Sequence, residues 1–140
     1  MCIFCSIVRG ESPASFLHQD DHCVAFLNIR PIHPGEFIVI PREHIDHFTD
    51  IPDDLAGRIL IVVQRLGRRM LDEFKPTRVG YVVHGFGVPH AHLNVVPLRD
   101  TSDIISAKHV VVEGSSFRIS EENLPSPSRE ELDAITSRFK

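Results

Sequence analysis

Val88-Pro89-His90-Ala91-His92-Leu93-Asn94-Val95-Val96-Pro97 alternates polar with apolar residues and has a proline near each end. In a β-strand, side chains alternate between the two faces with a period of two residues. His90, His92 and Asn94 would then share one face, while the apolar residues between them would face the core. Proline cannot donate to a sheet ladder and therefore favours strand ends and edges. The stretch predicts three polar groups in a row, suited to a metal site, to a nucleophile with its helpers, or to an ordinary hydrated strand face.

The composition is that of one globular domain. The chain has 140 residues, of which 42% are hydrophobic and 24% charged, and its formal net charge is −4. This length is sufficient to bury a core. No apolar run approaches the roughly 18 residues of a membrane-spanning helix, and no secretory signal is visible at the N-terminus. We therefore expect a single domain over residues 1–140, a cytoplasmic location, and neither a nucleic-acid nor a membrane partner.

The rest of the chain predicts a mixture of strands and helices. One long amphipathic helix is expected over 50–74, where apolar residues recur every three to four positions. A final helix is expected after Ser128, because Ser128 and Glu131 have the spacing of a capping box. Short apolar runs between turn residues predict strands at 16–18, 23–27, 37–40 and 79–83 and a hairpin at 110–119. A glycine-bearing turn at 84–87 would then lead into the polar row.

Three cysteines without a secretory signal are better explained as metal ligands or free thiols than as disulfides. Cys2 and Cys5 form a Cys-x-x-Cys pair, which provides half of the four cysteine or histidine ligands of a structural zinc site. His44 and His90 could complete it. The alternative is that both cysteines are small buried residues. Cys23 has no partner in this scheme and is expected to lie in the core.

Several segments of the chain resemble the histidine-triad (HIT) family, and its Hint-type branch in particular. The stretch 88–97 is similar to the family signature His-x-His-x-His followed by apolar residues, with Asn94 at the third position. The upstream segments that carry the resemblance are Cys2-Ile3-Phe4-Cys5, Asp20-Asp21-His22-Cys23-Val24-Ala25-Phe26-Leu27-Asn28 and Pro34-Gly35-Glu36-Phe37-Ile38-Val39-Ile40-Pro41-Arg42-Glu43-His44-Ile45. The resemblance covers residues 2–97 and implies an α+β fold with an antiparallel sheet of about five strands, one long helix and a C-terminal helix. It also implies a homodimer.

The resemblance assigns the cysteine pair to zinc. Zinc-binding bacterial HIT proteins use this pair together with the histidine of the Pro-x-x-His segment and the first histidine of the triad. The corresponding residues here are Cys2, Cys5, His44 and His90. The expected Zn²⁺ is structural, holding the N-terminus against the segment that carries the triad.

His92 occupies the position of the family's nucleophilic middle histidine. The resemblance implies that its ring nitrogen attacks the α-phosphorus of a nucleotide conjugate and forms a covalent nucleotidyl-imidazole, which water or another acceptor then releases. A neutral imidazole is nucleophilic near pH 7, and the covalent route divides one difficult displacement into two easier steps. To present a free lone pair, the other ring nitrogen should donate to a fixed acceptor, such as a backbone carbonyl near His90.

Two residues depart from the family pattern at the positions expected to contact the phosphate. Asn94 can donate a hydrogen bond to a phosphate oxygen but cannot transfer a proton. Related transferases and phosphorylases carry Gln there, so Asn94 favours transfer to an acceptor other than water. Glu36 stands where most relatives have a phosphate-binding histidine, which His33 or His84 is a candidate to replace. Both departures predict slow turnover.

The expected substrate is a purine nucleotide or a nucleotide conjugate. We expect His92 and Asn94 to be catalytic. The residues expected to bind the substrate are Phe26, Asn28, Ile29, His84, Gly87 and Val88. Asn28 stands where relatives usually have an acidic residue for the ribose hydroxyls, which its neutral amide can still bind. The alternatives to a hydrolase or transferase are a nucleotide phosphorylase or nucleotidyltransferase, and a zinc-stapled nucleotide-binding dimer without catalysis.

Overall fold

The protein folds around one antiparallel sheet. The computed structural model describes residues 2–104 and 110–140. The strands of the sheet are β1 (Phe16–Gln19), β2 (Cys23–Leu27), β3 (Phe37–Pro41), β4 (Arg78–Val82) and β5 (Leu93–Leu98). Their order is β1-β2-β3-β5-β4, and each neighbouring pair is antiparallel. The expected α+β class and the sheet of about five strands are confirmed.

Within the described residues, three α-helices accompany the sheet: α1 (Ile3–Val8), α2 (Asp53–Phe74) and α3 (Arg129–Thr136). The long helix α2 begins at Asp53, later than expected, because Pro52 occupies its N-cap position and Phe48–Asp50 forms a separate 3₁₀ turn. A proline suits a helix start, where no intrahelical acceptor exists for its missing N–H. Lys75 ends α2 in the left-handed conformation, with φ 48°. Among the residues described, no helix combines the length and apolarity needed to cross a membrane.

Both faces of the sheet carry a hydrophobic core. The first face packs against α2, and its strand residues are Cys23, Ala25, Leu27, Phe37, Val39, Leu93 and Val95. The second face lies under α1, where Phe4 and Ile7 pack with Val24, Phe26, Ile38 and Ile40. Because side chains alternate along a strand, Asn28, Glu36 and Asn94 all belong to the second face.

The C-terminal part folds back onto the first core. β6 (Val110–Glu113) and β7 (Ser116–Ile119) form the expected hairpin as a separate two-stranded sheet. α3 begins at the predicted capping box, in which the Glu131 N–H donates to Ser128 Oγ at 3.1 Å. Leu132 of α3 and Phe139 of the 3₁₀ turn that follows it are buried with the α2 side of the sheet. The expected C-terminal helix is therefore confirmed.

Candidate active site and metal site

The segment that carries the two histidines is only partly a strand. β5 begins at Leu93, so His90 and His92 lie just before it and not within the strand that the alternation predicted. The Ala91 N–H donates to the Ile45 carbonyl at 2.7 Å, and Ile45 lies beyond the end of β3. Regular pairing with β3 therefore stops at Leu93, because the chain has turned to a different backbone partner.

His92 is held in one orientation and one tautomer. Its Nδ1 lies 2.8 Å from the carbonyl oxygen of His90. A carbonyl can only accept, so Nδ1 carries the hydrogen and Nε2 keeps its lone pair. The ring is partly exposed and meets the Phe4 ring edge to face, with centroids 5.3 Å apart. This is the carbonyl contact expected from the sequence, and it leaves His92 as a nucleophile or a base.

Cys2, Cys5, His44 and His90 converge on one point, with their ligand atoms all within 4.8 Å of one another. The distance from Cys5 Sγ to His44 Nδ1 is 3.2 Å, and the distances from Cys2 Sγ and Cys5 Sγ to His90 Nδ1 are both 3.5 Å. In a tetrahedral zinc site with Zn–S about 2.3 Å and Zn–N about 2.0–2.1 Å, ligand atoms are roughly 3.3–3.8 Å apart. The donor types and their spacing therefore fit zinc.

The ring of His90 is prepared to act as a ligand. It is fully buried, and its Nε2 lies 2.8 Å from the Pro41 carbonyl, which fixes the hydrogen on Nε2 and leaves the Nδ1 lone pair facing the thiols. Burial lowers the pKa of His90, against a smaller opposing effect of the Pro41 hydrogen bond. The neutral form that a metal requires is therefore the one that this environment favours.

Asn28, Glu36 and Asn94 form one hydrogen-bonded network on the second face. Glu36 is only 4% exposed, and its Oε2 accepts from Asn28 Nδ2 at 2.5 Å and from Asn94 Nδ2 at 3.2 Å. Its Oε1 accepts from the Ile32 N–H at 2.9 Å. The sequence predicts Glu36 at the phosphate position and Asn28 as a ribose ligand. The structure places both in one hydrogen-bonded network with Asn94.

The other residues expected to bind substrate differ in placement. Phe26 is buried and meets the Phe4 ring edge to face, and Val88 packs partly buried against the same cluster. Ile29, His84 and Gly87 are exposed, and His84 lies against the exposed ring of Phe86 with centroids 5.0 Å apart. Gly87 has φ 93°, which glycine adopts without strain.

His33 is engaged with a residue that sequence reasoning missed. Its Nε2 lies 2.9 Å from Oδ2 of Asp103, which is fully buried and also accepts from the Arg99 and Asp100 N–H groups. No local pattern marks Asp103, because its partner lies 70 positions earlier in the chain. Phe4, whose ring packs against His92, was missed as well. The available signal was its position as an apolar residue between Cys2 and Cys5, which indicates that this segment packs against the core.

A second group of metal-binding residue types consists of His18, Asp20 and Cys23. Asp20 is occupied as the acceptor of a turn, with bonds from the His22 and Cys23 N–H groups at 2.7 and 2.8 Å. His18 Nδ1 lies 2.6 Å from an Arg65 guanidinium nitrogen, which can only donate. Cys23 is fully buried, and burial with a smaller effect of Asp20 raises the pKa of its thiol to about 11. Cys23 is thus the core residue that the sequence predicted.

Comparison with known proteins places these features in a family. The family model described as the HIT domain matches residues 9–101. "Protein hit" from Bacillus subtilis is 33% identical over 107 residues, which are 73% of this chain and 74% of that protein. "Adenosine 5'-monophosphoramidase HNT1" from Candida albicans is 36% identical over 108 residues, 71% of each chain.

A solved structure shows the same likeness over nearly the whole chain. The crystal structure of a Zn-bound histidine triad family protein from Mycobacterium smegmatis superimposes with a TM-score of 0.69 at 28% identity. The match covers 99% of this chain and 94% of that one. The Hint-type branch stays a prediction. The extent of the family match and the shared fold establish that this chain belongs to the HIT family.

Proposed function

We propose that the protein is a nucleotide hydrolase or transferase that cleaves the phosphoramidate or phosphoanhydride bond of nucleoside monophosphate conjugates. The observation that carries this proposal is the hydrogen bond of His92 Nδ1 to the His90 carbonyl, which leaves Nε2 as a fixed nucleophile. Two relatives that share 32% and 36% identity with this chain are named as adenosine 5'-monophosphoramidases. Both names refer to hydrolysis of a phosphorus–nitrogen bond of a nucleotide, the chemistry that such an imidazole can perform.

In the first step, His92 Nε2 forms a bond to the α-phosphorus, and the bond from phosphorus to the leaving group breaks. The leaving group departs with the electron pair of that bond and takes up a proton. In the second step, water or another acceptor attacks the phosphorus and loses a proton, and the phosphorus–Nε2 bond breaks. His92 is then regenerated with its hydrogen still on Nδ1, because the His90 carbonyl holds that tautomer throughout.

Asn94 would contact the phosphate through its amide. One of its two N–H groups is used by Glu36, so one remains for a phosphate oxygen. A neutral amide cannot supply the charge that a histidinium would, and the loss of such a contact can lower a rate on the order of 10²–10³-fold. We therefore propose slow turnover, with transfer to an acceptor other than water as the second candidate. Phosphate-dependent turnover would identify a nucleotide phosphorylase.

We propose that Cys2, Cys5, His44 and His90 hold one structural zinc ion. When bound, zinc would supply a rigid link and no reaction chemistry. His90 joins both sites, since its ring faces the thiols and its carbonyl fixes His92. The residues of α1 thereby come to lie against the segment before β5. The free thiols suit a reducing compartment, and the net charge of −4 gives no reason to expect a nucleic-acid or membrane partner.

We also propose a homodimer. α2 leaves a stripe of exposed residues at helical spacing, which includes Leu60 at 47%, Ile61 at 68% and Leu71 at 49% exposure. The stripe adjoins the edge strand β4, because the Tyr81 hydroxyl donates to Gln64 on the same side of α2. A helix face with exposed leucine and isoleucine side chains next to a strand at the end of the sheet order is the kind of surface that a second copy covers.

The test of the catalytic proposal is intact-mass spectrometry after brief, acid-free quenching of a reaction with adenosine phosphoramidate. We expect a nucleotidyl-sized mass gain on the unaltered protein and none on His92→Ala. The matched control is His47→Ala, which removes a histidine whose side chain is 75% exposed and should retain the gain. If His92→Ala turned over at the full rate, the mechanism would be wrong. Bound nucleotide without mass gain or turnover would favour the zinc-stapled binding dimer.

A further inference from the structure

Glu36 lies at the centre of the polar network and touches three separate parts of the chain. It immediately precedes β3, and its side chain is buried between Asn28, which follows β2, and Asn94 of β5. β3 pairs with both β2 and β5, so these residues lie on neighbouring strands. The third hydrogen bond, from the Ile32 N–H, ties the loop between Asn28 and Glu36 to the same carboxylate.

The carboxylate determines which way the Asn94 amide faces. Both carboxylate oxygens of Glu36 act as acceptors, from the Ile32 N–H and from the two asparagine side chains, and an accepting oxygen needs the NH₂ end of an amide opposite it. The distance from Asn94 Nδ2 to Glu36 Oε2 is 3.2 Å. A flipped amide would place its oxygen against the carboxylate, which is repulsive. The Asn28 amide also has its NH₂ end toward Glu36, because its Nδ2 donates to that carboxylate and its Oδ1 accepts from the Arg30 N–H at 2.9 Å.

We propose that Glu36 is a positioning residue for the reaction at His92. It acts through Asn94 by keeping the NH₂ end of that amide at the site, so that the second N–H serves the phosphate oxygen. Glu36 does not itself touch the substrate. The inference rests on the proposed function, in which Asn94 contacts the α-phosphate. Asn94 and Glu36, the two departures at the positions expected to contact the phosphate, therefore work as one unit.

The experiment uses the full chain with Glu36→Gln, which keeps the shape of the side chain but places an amide against two amides. Either orientation of Asn94 is then allowed, because glutamine both donates and accepts. We expect kcat for adenosine phosphoramidate to fall about tenfold or more, while KM changes less than about threefold, since misplacement of a transition-state contact can lower a rate by about 10². The matched control is Glu130→Gln, the same substitution at an exposed residue of α3.

A double-substitution series tests whether Glu36 acts through Asn94. Asn94→Ala alone should lower kcat about 10²-fold. The fold loss of kcat in the double variant should be at least about tenfold smaller than the product of the two single losses. The reason is that the second substitution removes an interaction that the first has already lost. If the two effects multiply, or if Glu36→Gln raises kcat/KM, Glu36 does not position Asn94 and the proposal is overturned.

A second measurement does not depend on activity. The side-chain NH₂ signals of Asn28 and Asn94 in a ¹⁵N–¹H NMR spectrum should both shift on Glu36→Gln and exchange faster with water, while they stay in place on Glu130→Gln. Glu36→Asp, which keeps the charge but is too short to reach both amides, should move at least one of them. Absence of turnover by the unaltered protein would refute the proposed function alone. Unchanged amide signals would refute the role of Glu36, whatever the activity.

Discussion

The Nδ1 atom of His92 lies 2.8 Å from the backbone carbonyl oxygen of His90, while the ring of His90 itself faces Cys2 and Cys5. One residue thus joins two sites, by its side chain on one side and by its backbone on the other. Because the two sites share His90, a change at the cysteines should reach the nucleophile through the position of a single carbonyl. This is the type of indirect support that ligand orientation commonly needs.

Removal of a cysteine should remove the metal. We expect about one zinc ion per chain by elemental analysis of protein purified without chelators, and a loss of most of it in Cys5→Ala. Without the link between α1 and His90, Tm should fall by about 5–10 °C, as loss of a few kcal/mol would produce. Cys23→Ala is the control, since Cys23 packs in the core on the α2 side of the sheet and is not one of the four converging ligands, and this variant should retain its zinc. If protein purified without chelators held no zinc, and Cys5→Ala had the same Tm as the unaltered protein, the assignment of all four ligands would be contradicted.

Asp20 should stabilise the β1–β2 turn in a pH-dependent way. Burial alone would raise the pKa of Asp20, but hydrogen bonds from His18 and from the Cys23 and His22 N–H groups outweigh burial and hold the pKa well below its usual value. In Asp20→Asn, the amide NH₂ would face the N–H of His18, whose other nitrogen accepts from Arg65. The free energy of unfolding at pH 7 should fall by about 1–2 kcal/mol.

The sign of the pH effect follows from the direction of the shift. A carboxyl whose pKa is lower in the folded than in the unfolded chain stabilises the fold at pH values above the unfolded-chain pKa. That stabilisation is lost as the pH falls towards the folded-state pKa. The difference in the free energy of unfolding between the unaltered protein and Asp20→Asn should therefore narrow as the pH falls below about 4. Urea unfolding across this range measures it. Asp21→Asn, at an exposed neighbour, should change the free energy of unfolding little at any pH. If the difference between the unaltered protein and Asp20→Asn grew in acid, the expected sign of the effect would be wrong.

Arg30 should hold the C-terminal segment on the loop after β2. Its guanidinium donates to the carbonyls of Glu121, Leu124 and Pro125. In Arg30→Ala these carbonyls lose their donors, so we expect faster hydrogen exchange and earlier proteolytic cleavage within 120–128. Arg30→Lys keeps the charge but cannot bridge three carbonyls with one planar fork, and it should resemble Arg30→Ala more than the unaltered protein. Equal protection in all three proteins would mean that the segment is held by other contacts.

The exposed stripe of α2 should be the dimer surface. Ile61→Glu places a charge in the middle of the stripe, and light scattering after size exclusion should then show a monomer where the unaltered protein shows a dimer. Val112→Glu makes the same change at a residue of β6 that is 72% exposed, and this variant should remain dimeric. A dimer that persists in Ile61→Glu, or is lost in Val112→Glu, would place the interface elsewhere.

Much of the fold could be predicted from local patterns. The stripe of apolar residues in α2 repeats every three to four positions, and the spacing of Ser128 and Glu131 specifies the start of α3 by contacts within one turn. The ends of the strands were predicted less accurately. The alternation from 88 to 97 suggested one continuous strand, but the bond from Ala91 to Ile45 ends the pairing at Leu93. That bond joins residues 91 and 45, and no periodicity within the segment could reveal it.

The residue types specify the available chemical groups: an imidazole at His92, an amide at Asn94, a carboxylate at Glu36, and two thiols spaced for one metal ion. What each group faces depends on the folded arrangement of the chain. It brings Cys2 to His90 across 88 positions and His33 to Asp103 across 70, and it places Glu36 between two amides. Residue type and spacing specify local geometry, whereas the partner of a buried polar group depends on which strands become neighbours in the sheet.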